Sequence, residues 1–341
     1  MGFVIPYIAR WDLDKTYLQT EYATLRDLLR TAFERAEQKR TVPGAATLLR
    51  EIAATGASVH ILSGSPEQLR AKLEEKLRLD GARWDTFTLK PNLRNVLRLR
   101  FRAVRDQVGY KLPALLAARA MLPSSKGPDG GLLREVLIGD DAESDALVYS
   151  LYADVLAGQV SATQLENILT HAASYKDAIA DAMRNARLVE RGNAVERILI
   201  HLDRQSPPSD FAPYGQRMVP FYNYLQAAFV LEEDGRLPAA AVIRVAVDLV
   251  LDHRFDGEAL GRSYLDLWRR GHLRGTGAAN IGRAFHAMSE VSPLPQSREI
   301  EKMCRRLDDV ASGIERGTTA HEPLDYVALL ERHGRRRRAF E

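Results

Sequence analysis

The sequence predicts an α/β fold: a parallel sheet with helices on both faces, followed by an all-helical C-terminal region. Three observations lead there. Short apolar, β-rich runs alternate with helical patterns through the first 205 residues, and strands separated by helices imply parallel pairing through crossover connections. Acidic or hydroxyl residues stand at the carboxyl ends of these runs, at Asp12, Asp14, Ser63 and Asp140, the edge at which open α/β sheets hold their ligands. From residue 216 the pattern is helical to the end.

Taken in order, FVIPYIARW (3–11) reads as a buried strand and YATLRDLLRTAFERAEQ (22–38) has helical spacing. PGAATLLREIAATG (43–56) opens with proline and closes with glycine, the usual asymmetry of a helix. SVHILSG (58–64) is the next strand, PEQLRAKLEEKLRLDG (66–81) a helix with a glycine stop, and DTFTLK (85–90) a third strand. KLPALLAARAML (111–122) is helical and SSKGPDGG (124–131) a loop. REVLIGDD (134–141) is a strand ending in acid, and DALVYSLYADVLAG (145–158) a helix. Further helices to about residue 192 read as an insertion, at 158–192, before a last strand in AVERILIHLDR (194–204). The Pro/Ser break QSPPSDFAP (205–213) is the best boundary. It divides the chain into a domain at 1–204, a linker at 205–215 and a helical domain at 216–341.

A chain of 341 residues has room for one large domain or two ordinary ones. Its net charge of +3 makes no general case for nucleic acid or anionic lipid as partner. The basic run HGRRRR (333–338) fits a solvated tail or a weak contact with an anionic surface. With Cys304 the sole cysteine, no internal disulfide can form, which suits a reducing compartment. No apolar run approaches the ~20 residues of a membrane span. The N-terminal run is too short for a signal peptide and lacks a charged leader, so a cytoplasmic location is expected. Nothing in the sequence sets an oligomeric state.

The segment ARWDLDKTY (9–17) carries an apolar run straight into Asp12, Asp14, Lys15 and Thr16. Residues i and i+2 of an extended chain point to the same side, so the spacing aims both carboxylates at one place. Like charges repel, and a hard cation such as Mg²⁺ would make the juxtaposition favourable. Ser63 in ILSGSP supplies a hydroxyl at a strand end, beside Gly64, where the backbone can approach a ligand. Lys111 opens a helix after a polar stretch, with Lys90 and Lys126 as rivals, and GDDAESD supplies Asp140, Asp141 and Asp145.

These features, in this order, resemble the haloacid dehalogenase (HAD) superfamily, mainly phosphohydrolases, whose signature is a strand followed by DxDxT, then a strand-end Ser or Thr, a Lys, and an acidic pair of the form GDxxxxD. SGSPEQL and LIGDDAESDALVY look closer still to the phosphatidate phosphatase catalytic domain of actin-patch proteins and their bacterial relatives. Gly64 stands in place of a serine of that pattern, Asp141 and Ala142 in place of Ser-Gly, and Ala146 in place of a proline, whereas Tyr149 is retained. The resemblance covers about residues 3–204.

The resemblance implies a HAD-type Rossmann-like sheet and a Mg²⁺-dependent phosphatase acting on a phosphomonoester: a small molecule, a lipid headgroup or a macromolecule. It implies Asp12 as nucleophile and Asp14 as general acid and base. It implies a metal held by Asp12, Asp14 through its backbone carbonyl, Asp140 and Asp145, with Asp141 as an alternative. Thr16, Ser63, Gly64 and Lys111 would bind the phosphate. The other class of function in view is a phosphatase-like binding module, against which retention of a general acid at Asp14 argues. A helix N-cap is an equally good role for Asp141. GTGAANIG (275–282) has no strand before it and reads as a helix–helix turn. Tyr214, Arg217 and Tyr222 fit packing better than substrate contact, and the eight histidines show no metal-ligand spacing.

Overall fold

The computed structural model describes residues 6–19, 39–90, 104–122, 127, 130–142, 144–292, 295–311 and 323–332. The expected helix at 22–38, Lys126 and the basic run at 333–338 lie outside them.

Among the described residues, six parallel strands form one sheet in the order β3-β2-β1-β4-β5-β6: β1 (Tyr7–Trp11), β2 (Ser58–Pro66), β3 (Thr86–Lys90), β4 (Arg134–Asp140), β5 (Val195–His201) and β6 (Met218–Phe221). Side-chain alternation splits each strand between two cores. Val136 and Ile138 of β4 enter one and Leu137 the other, and Leu199 of β5 is likewise divided from Ile198 and Ile200. Strands buried on both faces are what crossover helices produce.

The first face is covered by α1 (Ala45–Ala54) and α2 (Arg70–Leu79). C-terminal helices complete that layer: α7 (Tyr224–Glu233), α8 (Ala239–Leu251), α9 (Gly257–Arg269), α10 (Gly277–Val291) and α11 (Ser297–Ala311). The second face carries α3 (Val104–Ala120), α4 (Asp145–Leu156), α5 (Ala162–His171) and α6 (Lys176–Leu188). Helices α5 and α6 are the insertion expected before β5, and Ser161 with Gln164 forms a reciprocal capping box at the start of α5.

Two sequence expectations are corrected here. Residues 216 onward are not helical throughout, and β5 is not the last strand: Met218–Phe221 pairs with it in parallel, Ile198 opposite Met218 and Ile200 opposite Pro220. Four residues containing a proline give no strand signal, and an edge strand is where such a proline is tolerated. The stretch 205–215 connects these two neighbouring strands and buries Phe211 and Tyr214. Lys111 does not open its helix. Helix α3 already runs at Val104 and carries Pro113 in its interior, a residue that in isolation marks a helix start.

The helix–helix turn expected at 275–282 covers only its first two residues, since α10 already begins at Gly277. The backbone N–H groups of Arg274, Gly275 and Gly277 and the Thr276 hydroxyl all donate to the Glu233 carboxylate, at 3.0, 3.0, 3.0 and 3.1 Å. A loop with the look of an anion cradle is thus filled by the chain's own carboxylate.

Candidate active site

The strand order reverses between β1 and β4, and such a switch point is where an open α/β sheet forms its ligand crevice. Asp12 follows β1, and its amide donates to Ile138 O on β4 at 2.9 Å. Asp140 ends β4 and Asp145 begins α4. Carboxylate oxygens of Asp12, Asp140 and Asp145 lie within 4.8 Å of one another, all three side chains being buried. Lys111, fully buried on α3, reaches into this group: its Nζ is 3.1 Å from Asp12 Oδ1 and 2.5 Å from Asp145 Oδ1. The Thr16 hydroxyl lies 3.3 Å from Asp12 Oδ2 and 3.5 Å from Asp140 Oδ2.

Asp145 gets this close to the sheet because position 139 is glycine. A Cβ there would stand 2.3 Å from Asp145 Oδ2 and 2.7 Å from Asp145 Cβ. With no side chain in the way, the Asp140 amide reaches Asp145 Oδ2 at 3.3 Å. The glycine of GDD is therefore a packing requirement of the acidic pair.

Asp14 takes different partners from Asp12. Its Oδ2 accepts from the Ser63 hydroxyl at 3.0 Å and from the Ser65 hydroxyl at 2.7 Å. The i, i+2 rule predicts a shared target, but strand geometry ends at Trp11, and Lys15 sits in the left-handed region at φ 60°. Ser65 is the residue that sequence reading missed. The same alternation rule, applied along SGSP, puts it on the face of Ser63 and would have found it. Gly64 lies between them on β2, where a Cβ would meet only Gln107, at an ordinary 3.8 Å.

Asp141 points elsewhere. Its carboxylate accepts from the Arg204 and Ser206 amides at 2.8 and 3.1 Å, fixing the loop after β5, and Ser144 holds the cap position of α4. Of the rival lysines, Lys90 lies over the Tyr110 ring. Arg217 pairs with Asp154 at 2.6 Å, Tyr214 is buried and Tyr222 is exposed. Tyr149 is buried next to the acidic cluster. Burial, followed by the nearby Asp145, pushes its phenol well above the ordinary range and keeps it neutral.

Below the cluster, the four elements that carry it are tied by one buried carboxylate. Glu135 on β4 is held by Arg10 of β1 at 2.7 Å and Arg119 of α3 at 2.8 Å, and accepts from Tyr152 of α4 at 2.9 Å. Burial opposes ionisation of Glu135, but the two guanidinium groups prevail and bring its pKa down to about 2.

Fold and site together define an α/β protein with a buried acidic cluster, charge-paired to a lysine, in the crevice at the strand-order reversal. A comparison with known families adds one finding. Residues 11–167 match the family model described as Phosphatidate phosphatase APP1, catalytic domain. That span runs from the last residue of β1 into α5 and includes each of the expected site residues. No curated protein and no solved structure matches the chain. No helix among the described residues is long and apolar enough to cross a membrane.

Proposed function

We propose that the protein is a Mg²⁺-dependent phosphohydrolase of the HAD type, cleaving a phosphomonoester of the phosphatidate kind through an aspartyl-phosphate. The observation that carries this is the buried group of Asp12, Asp140 and Asp145 with Lys111 against two of its members. Three carboxylates and one ammonium leave two negative charges in a buried place, and hard oxygen donors of that charge suit a divalent cation such as Mg²⁺. Asp12, Asp140 and Asp145 would hold the ion, with Asp14 contributing its backbone carbonyl. When bound, the ion offsets the charge of the phosphoryl group and of the carboxylate facing it.

The remaining work falls to the chain's own residues. An Asp12 carboxylate oxygen attacks phosphorus and forms a P–O bond as the bond to the leaving oxygen breaks. Asp14 gives its proton to that oxygen, releasing an alcohol. A water then attacks the phosphoryl group, Asp14 takes a proton from it, and the Asp12–phosphorus linkage breaks to free phosphate and the carboxylate. Acid–base help of this kind is worth ~100–10,000-fold. Ser63 and Ser65 hold the Asp14 carboxylate, fixing where its proton is given and taken. Lys111 and the backbone at Gly64, joined by the Ser63 hydroxyl when it turns from Asp14 and leaves Ser65 to hold that carboxylate, would meet the phosphate oxygens and stabilise charge in transfer, while Thr16 keeps Asp12 in register with Asp140. The expected cytoplasmic location belongs to the same reading.

The test is hydrolysis of phosphatidate in detergent micelles and of a soluble phosphomonoester, with Mg²⁺ and with EDTA, for the native chain and Asp12→Asn. Phosphate release that needs Mg²⁺ and vanishes in Asp12→Asn, with an unchanged circular dichroism spectrum, is expected. A native chain that releases no phosphate from either substrate overturns the reading.

A further inference from the structure

Two consecutive backbone carbonyls in the loop after Asp14 are held by aromatic side chains from distant parts of the chain. His201, at the end of β5, has Nδ1 3.1 Å from Lys15 O. A carbonyl only accepts, so Nδ1 carries the hydrogen. Tyr224, the first residue of α7, donates its hydroxyl to Thr16 O. The rings are stacked in a column. Tyr224 lies on Trp11 at 5.7 Å and 15°, and on His201 at 5.5 Å and 26°, with Phe221 edge-on to Tyr224 at 5.1 Å. Trp11, Phe221 and Tyr224 are all 1% exposed or less.

The segment so held needs holding. Lys15 adopts φ 60°, a conformation that costs a residue with a side chain of order 1 kcal/mol and persists only where the surroundings enforce it. The neighbouring side chains are those of the site: Asp14 on one side, and Thr16, whose hydroxyl faces Asp12 and Asp140, on the other. Both clamping residues lie beyond the matched span 11–167.

We infer that Tyr224 and His201 are positioning residues for the loop Asp14–Thr16, so that β5 and the start of the C-terminal helical region belong to the catalytic unit. The inference rests on the phosphatase reading for its kinetic consequence and on the two carbonyl contacts for its structural one.

The test compares Tyr224→Phe, which keeps the ring column and removes one donor, with Tyr264→Phe. Tyr264 is also buried, on α9, and donates to Glu233 at 2.9 Å, so it supplies the same chemical change away from the loop. Tyr224→Phe is expected to lower kcat about 10-fold with KM within two-fold, since a buried carbonyl left without its donor shifts reacting groups rather than substrate contacts. Tyr264→Phe is expected to lower thermal stability as much as Tyr224→Phe does and to leave kcat unchanged. Amide hydrogen exchange gives a second readout that needs no turnover. The Tyr17 and Leu18 amides, both bonded to Leu13 O, are expected to exchange about 10-fold faster in Tyr224→Phe and at the native rate in Tyr264→Phe. Native exchange at both amides in Tyr224→Phe overturns the inference. So does unchanged kcat in a native chain that does hydrolyse phosphomonoesters. A native chain without activity overturns the phosphatase reading alone and leaves the exchange result to decide this one.

Discussion

Replacing Gly139 by alanine should cost both stability and turnover, by amounts the geometry sets. The new Cβ would lie 2.3, 2.7 and 2.8 Å from Oδ2, Cβ and Cγ of Asp145, against an ordinary contact of about 3.5 Å between carbon atoms. Rotating the carboxylate cannot relieve this, because the Asp145 Cβ itself is too near. The first turn of α4 must back away from β4 by roughly 0.7 Å or more. Asp145 then loses its fit to the Asp140 amide and to Lys111. Overpacking costs ~1–3 kcal/mol, and a weakened hydrogen bond to a charged group ~1.5–3 kcal/mol. A total of about 3 kcal/mol, over a chain of 341 residues, translates to a fall in Tm of roughly 3–5 °C. A displacement of this size at a reacting centre is worth about 100-fold in kcat. Thermal scanning and Mg²⁺-supported phosphate release measure the two effects. Gly282→Ala is the control: it lies within α10, with nothing within 4 Å of its added Cβ, and should be neutral or stabilise by ~0.4–1 kcal/mol. A Gly139→Ala protein as stable and as active as the native chain would refute the packing argument.

Two further outcomes follow. Ser65→Ala removes one of the two hydroxyls on Asp14 Oδ2 and should lower kcat by about 3–10-fold, a single hydrogen bond to a charged group being worth ~1.5 kcal/mol or less when its partner persists; kcat equal to native would show that Ser63 alone suffices. Glu135 makes stability depend on acid. Its folded pKa of about 2 lies below the ordinary carboxylate value, so its contribution is fully present above about pH 4.5 and is lost as pH falls towards 2, the unfolded chain taking the proton first. In Glu135→Gln, stability measured by denaturant titration should be lower at pH 7 and fall less steeply between pH 4.5 and 3 than in the native chain; parallel pH curves would contradict the sign.

The site was legible where strand ends carry short polar motifs. Asp12, Ser63, Lys111, Asp140 and Asp145 could all be picked out, and the structure brings Asp12, Asp140, Asp145 and Lys111 together. Lys111 lies beside these acids although its helix start was misplaced, since Pro113 is a start signal only when nothing precedes it. What stayed hidden depends on contacts between segments far apart in sequence. The bonds from His201 and Tyr224 to Lys15 and Thr16 span 186 and 208 residues. The tie at Glu135 has one such long-range member, Arg10, 125 residues away, and a nearer one in Arg119, 16 residues away on a different element. Gly139 reads as part of a motif, and only coordinates show which atom it makes room for.

The proline that disguised β6 also shapes how the sheet ends. The Arg217 and Phe221 carbonyls turn inward and bond to amides of Ile198 and Leu202, so by alternation position 220 faces outward. There the ring has no hydrogen to offer, and the Pro220 carbonyl is already occupied by the Arg270 guanidinium from α9 at 2.7 Å. A border strand with free amides and carbonyls invites a strand from another molecule. At this residue both invitations are withdrawn, which removes one point of attachment for a strand added along that margin.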